Sequence, residues 1–202
     1  MFPEKKDFLF RGINENIRKQ ILLDEEANYS TTDQVTATKI AKDISKFVNV
    51  NSNITDATAC IGGSAYSLSK YFNNIIAIEK DIKRYDYLVH NMQILSVADK
   101  VKCIYGDSIN ICKNINQYCI FIDPPWGGPE YKTHEKVDLF ISEKPLHDVC
   151  YELSEYTKII ALKVPKNFNI DKFSKNIENF ATIEYKNYDL RKMHLIIIRI
   201  LK

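Results

Sequence analysis

The stretch Asp123-Pro124-Pro125-Trp126-Gly127-Gly128-Pro129 holds the chain's single tryptophan and three of its 6 prolines. It follows the apolar run Tyr118-Cys119-Ile120-Phe121-Ile122. A run of this length predicts a buried strand, stopped by two proline rings that cannot donate to a ladder. A carboxylate at a strand end, a stiff backbone and a flat ring are suited to holding a planar base and its amino group against a reactive partner.

Three earlier segments carry compatible chemistry. In Asp56-Ala57-Thr58-Ala59-Cys60-Ile61-Gly62-Gly63-Ser64, glycines such as Gly62 allow a backbone to approach a ligand closely. The predicted helix start behind them favours a carboxylate or phosphate. The segment is neither GxGxxG nor a P-loop, and by itself such a turn is as often structural as functional. Glu79 closes the next apolar run, where an acid suits the two hydroxyls of a ribose. Asp107, after Gly106, suits an adenine amino group. Together they describe an adenosine with a short charged tail and no polyphosphate, which fits S-adenosylmethionine.

The elements that must position these residues alternate. Ile54–Ala57, Ile75–Ile78, Val101–Tyr105, 118–122 and Lys158–Leu162 read as strands. Helices are expected after Ser64 to about Tyr71, over 81–95 and over 145–155, the second with Tyr85, Leu88, Val89 and Met92 on one face. Such alternation predicts an α/β fold with a mostly parallel sheet and helices on both faces. Sheets of this kind bind ligands at the carboxyl ends of their strands, where Asp56, Glu79, Asp107 and Asp123 all fall. The runs 181–188 and 194–201, joined by Asp189-Leu190-Arg191-Lys192, predict a terminal antiparallel hairpin with a solvated basic turn. Upstream, Ile13, Ile17, Ile21 and Leu22 predict one amphipathic helix. Thr31-Thr32-Asp33 offers an N-cap for a helix to about Phe47, with Val35, Ile40, Ala41, Ile44 and Phe47 on its apolar face. The expected organisation is an N-terminal arm, 1–30, and one catalytic domain, 31–202.

Composition narrows the setting. With 202 residues, 45% hydrophobic and 27% charged, one domain with a sizeable core is expected. A net charge of +2 admits a nucleic-acid partner without arguing for one. The five cysteines (60, 103, 112, 119 and 150) form no CxxC pair and read as buried hydrophobes of a reducing compartment. The four histidines lack metal-ligand spacing, so no metal is expected. No run approaches the ~18 apolar residues of a membrane span, and the start lacks a signal peptide's apolar middle. An intracellular protein with no membrane association follows.

The order of Asp56 before Gly62-Gly63, Glu79 ending the second strand, Gly106-Asp107 after the third, and Asp-Pro-Pro-Trp after the fourth resembles the class I S-adenosylmethionine-dependent methyltransferases. A strand-four Pro-Pro-aromatic marks the members that methylate exocyclic amino groups. More narrowly, Pro124-Pro125-Trp126-Gly127-Gly128-Pro129-Glu130-Tyr131 is similar to the trimethylguanosine synthase family, the RNA cap guanine-N2 methyltransferases. Leu23-Asp24, Tyr29-Ser30-Thr31-Thr32, Ala98-Asp99-Lys100-Val101 and Val164-Pro165-Lys166-Asn167 extend that likeness over about 20–170.

The resemblance implies a Rossmann-like, seven-stranded sheet with the antiparallel hairpin at its C-terminal edge. It implies S-adenosylmethionine as methyl donor, held by Asp56, Gly62, Glu79, Asp107 and Asp123, with Thr32 at the donor's carboxylate end. Trp126 would stack on the 7-methylguanine, a cation suited to an indole face. The Asp123 carboxylate and Pro124 carbonyl would accept from the N2 amino group, and Tyr131 and Lys166 would contact cap phosphates. The implied partner is m7G-capped RNA or the cap nucleotide and the product di- or trimethylguanosine; the reducing compartment read from the cysteines is cytoplasm or nucleus, a viral origin is compatible with it, and the oligomeric state, a monomer included, is left open by the sequence. Two positions depart from the family: Asp123 stands where Ser is usual, and Lys166 replaces an Arg, losing the forked donor. Asp before Pro-Pro is more typical of ribosomal-RNA guanine-N2 and adenine-N6 enzymes, so an rRNA or DNA amino methyltransferase is the alternative within the class. A weakly catalytic cap-binding module is the alternative outside it.

Overall fold

The computed structural model describes residues 3–190 and 192–201. Three short helices open the chain: α1 (Pro3–Leu9), α2 (Glu15–Gln20) and α3 (Glu25–Ser30). The single helix expected around 13–22 is therefore shorter. The Asn14 side chain accepts from Asn16 N–H and starts α2, and Ile21 is already extended. Ile13, Ile17 and Ile21 still share one small core with Leu9, Phe10, Leu23, Ala27 and Ile61. The sequence periodicity thus marks a common apolar side without marking the helix ends.

The next helix, α4 (Gln34–Ile44), is capped by Asp33, whose carboxylate accepts from Thr36 N–H. Val35, expected on its apolar face, is instead exposed. It falls in the first turn, while Ile40, Ala41 and Ile44 carry the contact with the sheet.

From there strands and helices alternate. β1 (Asn53–Asp56) leads to α5 (Gly63–Leu68), β2 (Asn74–Glu79) to α6 (Ile82–Ile94), and β3 (Val101–Tyr105) to α7 (Ser108–Cys112). β4 (Cys119–Ile122) follows, then a 3-10 turn over Gly128–Thr133 and the two-residue strands β5 (Phe140–Ile141) and β6 (Lys144–Pro145). α8 (Leu146–Ser154), β7 (Ile159–Pro165), α9 (Ile170–Ile177), β8 (Ala181–Leu190) and β9 (Met193–Ile200) complete the chain.

The main sheet has the order β3-β2-β1-β4-β7-β9-β8. Its first five strands are parallel. β9 inserts antiparallel between β7 and β8. This is the seven-stranded, mostly parallel sheet with a terminal hairpin that the resemblance implies. The basic turn expected at Arg191-Lys192 falls partly outside the described residues, because Arg191 is not among them.

Both sheet faces are covered. α7, α8 and α9 pack one face around Ile120, Ile122, Leu146, Val149 and Phe173. α4, α5 and α6 pack the other around Ile54, Leu68, Leu88, Phe121 and Ile197. The strands are buried on both faces, which is why β4 and β7 read as continuous apolar runs. Strand order reverses direction between β1 and β4, and the crevice at their carboxyl ends is the general ligand site of open α/β sheets.

The opening helices are bolted to this frame by Asn91. Its Oδ1 accepts from Leu22 N–H at 2.8 Å. Its Nδ2 donates to Leu22 O at 2.9 Å and to Ile61 O at 3.0 Å. Asn91 is 1% exposed, so its loss leaves three backbone groups without this partner, the Ile61 carbonyl among them fully buried. Asn91→Leu is expected to lower the unfolding free energy by about 2–3 kcal/mol in urea titrations, with the loss of protease protection starting in the segment before α4.

Candidate active site

Four residue groups meet at the carboxyl edge. Asp56 is the last residue of β1 and fully buried. Its Oδ1 accepts from Thr58 N–H at 3.2 Å, while Oδ2 is buried with no hydrogen-bond partner. Burial is the main cause that raises its pKa from the ordinary 3.8 to about 7, and the neighbouring Asp123 and Glu79 carboxylates add to the rise.

The glycine turn comes next. Gly62 has φ +93°, and a Cβ there would stand 2.3 Å from Met92 Cε and 2.8 Å from Leu88 Cδ1. Only glycine fits both the left-handed backbone and the close approach of α6. A Cβ on Gly63 would meet Thr31 Cγ2 at 2.9 Å, so the α3–α4 link lies against this turn. Thr32 lies in that link, 5% exposed, and its hydroxyl, the Thr31 hydroxyl and Asn28 Oδ1 are all buried without hydrogen-bond partners.

Glu79 ends β2 and is 8% exposed. Oε1 accepts from Asp81 N–H at 2.8 Å and Oε2 from Cys60 N–H at 2.9 Å. Each oxygen keeps a further lone pair, so the carboxylate is oriented by backbone and still able to accept. Asp107 caps α7, its Oδ1 accepting from Asn110 N–H at 2.9 Å. Cys60 beside this wall is half-buried, and burial pushes its thiol up to about 11, which makes it a poor nucleophile.

The fourth group follows β4. Asp123 N–H donates to Thr58 Oγ1 at 2.8 Å, which ties this loop to the one after β1. Pro124 is buried and Pro125 exposed. Trp126 is half-buried, with one part of its ring against the sheet core. Tyr131 stands edge-on to the indole, with ring centroids 5.2 Å apart. Asn167, in the turn after β7, donates to Tyr131 O at 2.7 Å and His134 O at 2.8 Å. Lys166 beside it is exposed. Tyr131 and Lys166 thus belong to two loops stitched together at one rim.

Motif and periodicity miss one residue of this site. Lys163, within β7 and 3% exposed, pairs through Nζ with Asp123 Oδ2. The same Nζ lies 5.0 Å from the Trp126 ring centroid. Burial pushes the Asp123 carboxyl above the usual carboxylate range, and the Lys163 charge and hydrogen bond work against that rise. The Trp126 indole also favours the ionised carboxylate. Its Nε1 is nevertheless buried without a hydrogen bond of good geometry. The available signal was a lysine inside Ile159-Ile160-Ala161-Leu162-Lys163-Val164, since a charge in an otherwise apolar central strand needs a partner.

Among the described residues, no three His, Cys, Asp or Glu side chains gather as a metal cage, and no helix is long and apolar enough to cross a membrane.

The sheet, with its polar residues at this edge, is a Rossmann-like fold. In solved structures the same fold appears in a precorrin-6y C5,15-methyltransferase from Geobacter metallireducens GS-15, with a TM-score of 0.59 at 14% identity, covering 95% of this chain and 97% of that one. It appears also in a tRNA m1G37 methyltransferase from M. jannaschii, with a TM-score of 0.56 at 14% identity, covering 91% of this chain and 52% of that one. Residues 51–196 match the RNA cap guanine-N2 methyltransferases, and the chain belongs to that family. It is 28% identical over 175 residues to the trimethylguanosine synthase of Schizosaccharomyces pombe, covering 83% of this chain and 71% of that protein. It is 30% identical over 151 residues to an uncharacterised protein of Acanthamoeba polyphaga mimivirus, covering 72% of this chain and 57% of that protein. The Saccharomyces cerevisiae trimethylguanosine synthase is 24% identical over 188 residues, covering 86% of this chain and 59% of that protein. The chain therefore spans little more than half the length of two of these three relatives.

The raised Asp56 pKa has a definite sign in stability. The folded value, about 7, lies above the ordinary 3.8, so the native state holds a proton that the unfolded chain releases. This contribution is fully present below about pH 4 and is lost as pH rises through about 7. In the ligand-free protein, Asp56→Asn is expected to be more stable than wild type at about pH 8 by on the order of 3 kcal/mol, with the difference shrinking toward about pH 4. Denaturant titrations at several pH values check this, and a pH-independent difference contradicts it.

Proposed function

We propose that this chain transfers a methyl group from S-adenosylmethionine to the exocyclic N2 of 7-methylguanosine in an RNA 5′ cap, giving di- or trimethylguanosine. The observation that carries the reading is the juxtaposition of a half-buried indole with a partly buried carboxylate at the β4 end, beside orphaned polar atoms at the β1 end and in the α3–α4 link.

The residues fit the donor. Asp56 Oδ2 and the Thr31 and Thr32 hydroxyls are buried acceptors or donors awaiting partners, which suits a charged amino-acid tail. Glu79 keeps lone pairs for ribose hydroxyls, and Asp107 stands at the adenine end. The Gly62-Gly63 turn lets the backbone come close. When bound there, the donor supplies a sulfonium-activated methyl group to the amino nitrogen by in-line displacement.

On the acceptor side the protein's contribution is positioning. Trp126 offers an indole face to the cationic 7-methylguanine, a contact worth about 2 kcal/mol when desolvated. Asp123 and the Pro124 carbonyl accept from the amino group and aim its nitrogen. Holding two reactants at attack distance supplies a large part of such a barrier reduction. The nitrogen gains a carbon, carries a positive charge beside the Asp123 carboxylate, and then releases its extra proton to water. Tyr131 and Lys166, on the stitched rim, lie on the side proposed for the cap phosphates.

A second reading rests on Asp123. A carboxylate before Pro-Pro also suits amino groups of other bases, so an rRNA or DNA amino methyltransferase would use the same site with a different rim.

The test is transfer of a labelled methyl to m7GTP, to GTP and to long uncapped RNA or DNA. Labelling of m7GTP supports the cap reading; labelling of long uncapped substrates alone supports the second. Binding of m7GTP without any transfer means a cap-binding module. Trp126→Ala is expected to weaken m7GTP binding by about 30-fold or more, while donor affinity stays within about threefold. Equal loss of both ligands in calorimetry would remove Trp126 from the cap-stacking role.

A further inference from the structure

The Asp123–Lys163 pair reaches beyond the cap reading, on whose amino-methylation chemistry it rests. β4 and β7 are parallel neighbours with Ile122 opposite Leu162, so Asp123 and Lys163 leave the ladder side by side. Asp123 is anchored twice: its N–H donates to Thr58 Oγ1, and its Oδ2 binds Lys163 Nζ. Lys163 is itself held between that carboxylate and the indole of Trp126. Lys163 takes Oδ2, and no hydrogen bond of good geometry to Oδ1 is found among the described residues, although the Trp126 indole also acts on this carboxylate.

We infer that Lys163 is a positioning residue for the acceptor base: it fixes one oxygen of Asp123 and one face of Trp126, so that Oδ1 and the open side of the indole meet the amino group and ring of the base together. A carboxylate alone at this depth would rotate about its side-chain bonds and tend to take up a proton. A protonated acid donates where an amino group needs an acceptor. The lysine counters both effects. Its cost is a buried charge, tolerable only with Asp123 in place, and this couples the two side chains into one unit.

The charged groups around Asp123 are Lys163 on β7 and Asp56 on β1, with Glu79 at the β2 end acting on Asp56. Asp56 can add its own limb to a pH profile, so the informative quantity is the change that the Lys163 substitution makes.

The experiment uses wild type, Lys163→Met and the uncharged double variant Asp123→Ser/Lys163→Met. Methyl transfer to m7GTP is followed across pH. S-adenosylmethionine binding is measured by calorimetry, and the Asp123 carboxyl is titrated by carbon NMR, assigned through Asp123→Asn. Lys163→Met is expected to lower kcat at neutral pH by about tenfold or more. Part of the rate returns as pH rises, donor affinity stays within about threefold, and the Asp123 carboxyl titrates at least about one pH unit higher than in wild type. If Lys163→Met does not fold, the double variant, which carries no buried charge at either position, is expected to fold and to remain slower than wild type at every pH. An unchanged Asp123 titration in Lys163→Met overturns the inference, as does wild-type turnover in either variant. Failure of the cap reading is seen separately, as wild-type protein that labels no amino-bearing base. The NMR titration still decides the role of Lys163 in that case.

Discussion

Two opposite charges paired across adjacent strands, Lys163 buried within β7 and Asp123 partly buried just after β4, organise this protein. Lys163 is buried with Asp123 as its ion-pair partner, and its charge works against the rise that burial imposes on the Asp123 carboxyl. Because the pair bridges β4 and β7, it sets the exit direction of the loop that carries Pro124, Pro125 and Trp126. Because Asp123 N–H also binds Thr58, which in turn donates to Asp56, the same arrangement reaches the loop after β1. Asp56, Thr58, Asp123 and Lys163 form one chain of contacts running along the crevice from the β1 end to the β4 and β7 ends.

The β1 end and the α3–α4 link are built in the opposite way. Asp56, Thr31, Thr32 and Asn28 all bury polar atoms that find no protein partner. Such groups lower the stability of the ligand-free fold and are retained where a ligand completes them. The N-terminal helices contribute here through the Thr31-Thr32 link, and Asn91 holds that link's approach against the Ile61 carbonyl at the glycine turn. The arm is thus packed into the wall of the site.

Specificity has to come from elsewhere in the fold. Solved methyltransferases that act, by name, on a precorrin and on a tRNA share this sheet. The framework sets where a ligand can lie, and the side chains at its rim set what is chosen. At this edge of the chain the loops after β4 and β7 are stitched together by Asn167, which donates to the Tyr131 and His134 carbonyls.

Much of this was legible in the residues alone. Periodicity marked the central strands, the terminal hairpin and the helix over 82–94, because buried parallel strands read as unbroken apolar runs. Asp56, Glu79, Asp107 and Asp123 could be placed at strand ends because each stops such a run, and the Pro-Pro-Trp-Gly-Gly-Pro string carried a family likeness that residues 51–196 bear out. The C-terminal end of α2 was not legible, since the chain leaves the helix at Ile21 and the following Leu22 backbone is bound by Asn91, far along the chain. Val35 fitted the apolar pattern and still faces water, because helix phase is set by what packs on it. Lys163 is the clearest case. One-dimensional pattern marks a lysine in an apolar strand as unusual and cannot name its partner, 40 residues away. Only the parallel register of β4 and β7 brings the two charges together, because an ion pair depends on distance in space, which the sheet alone determines.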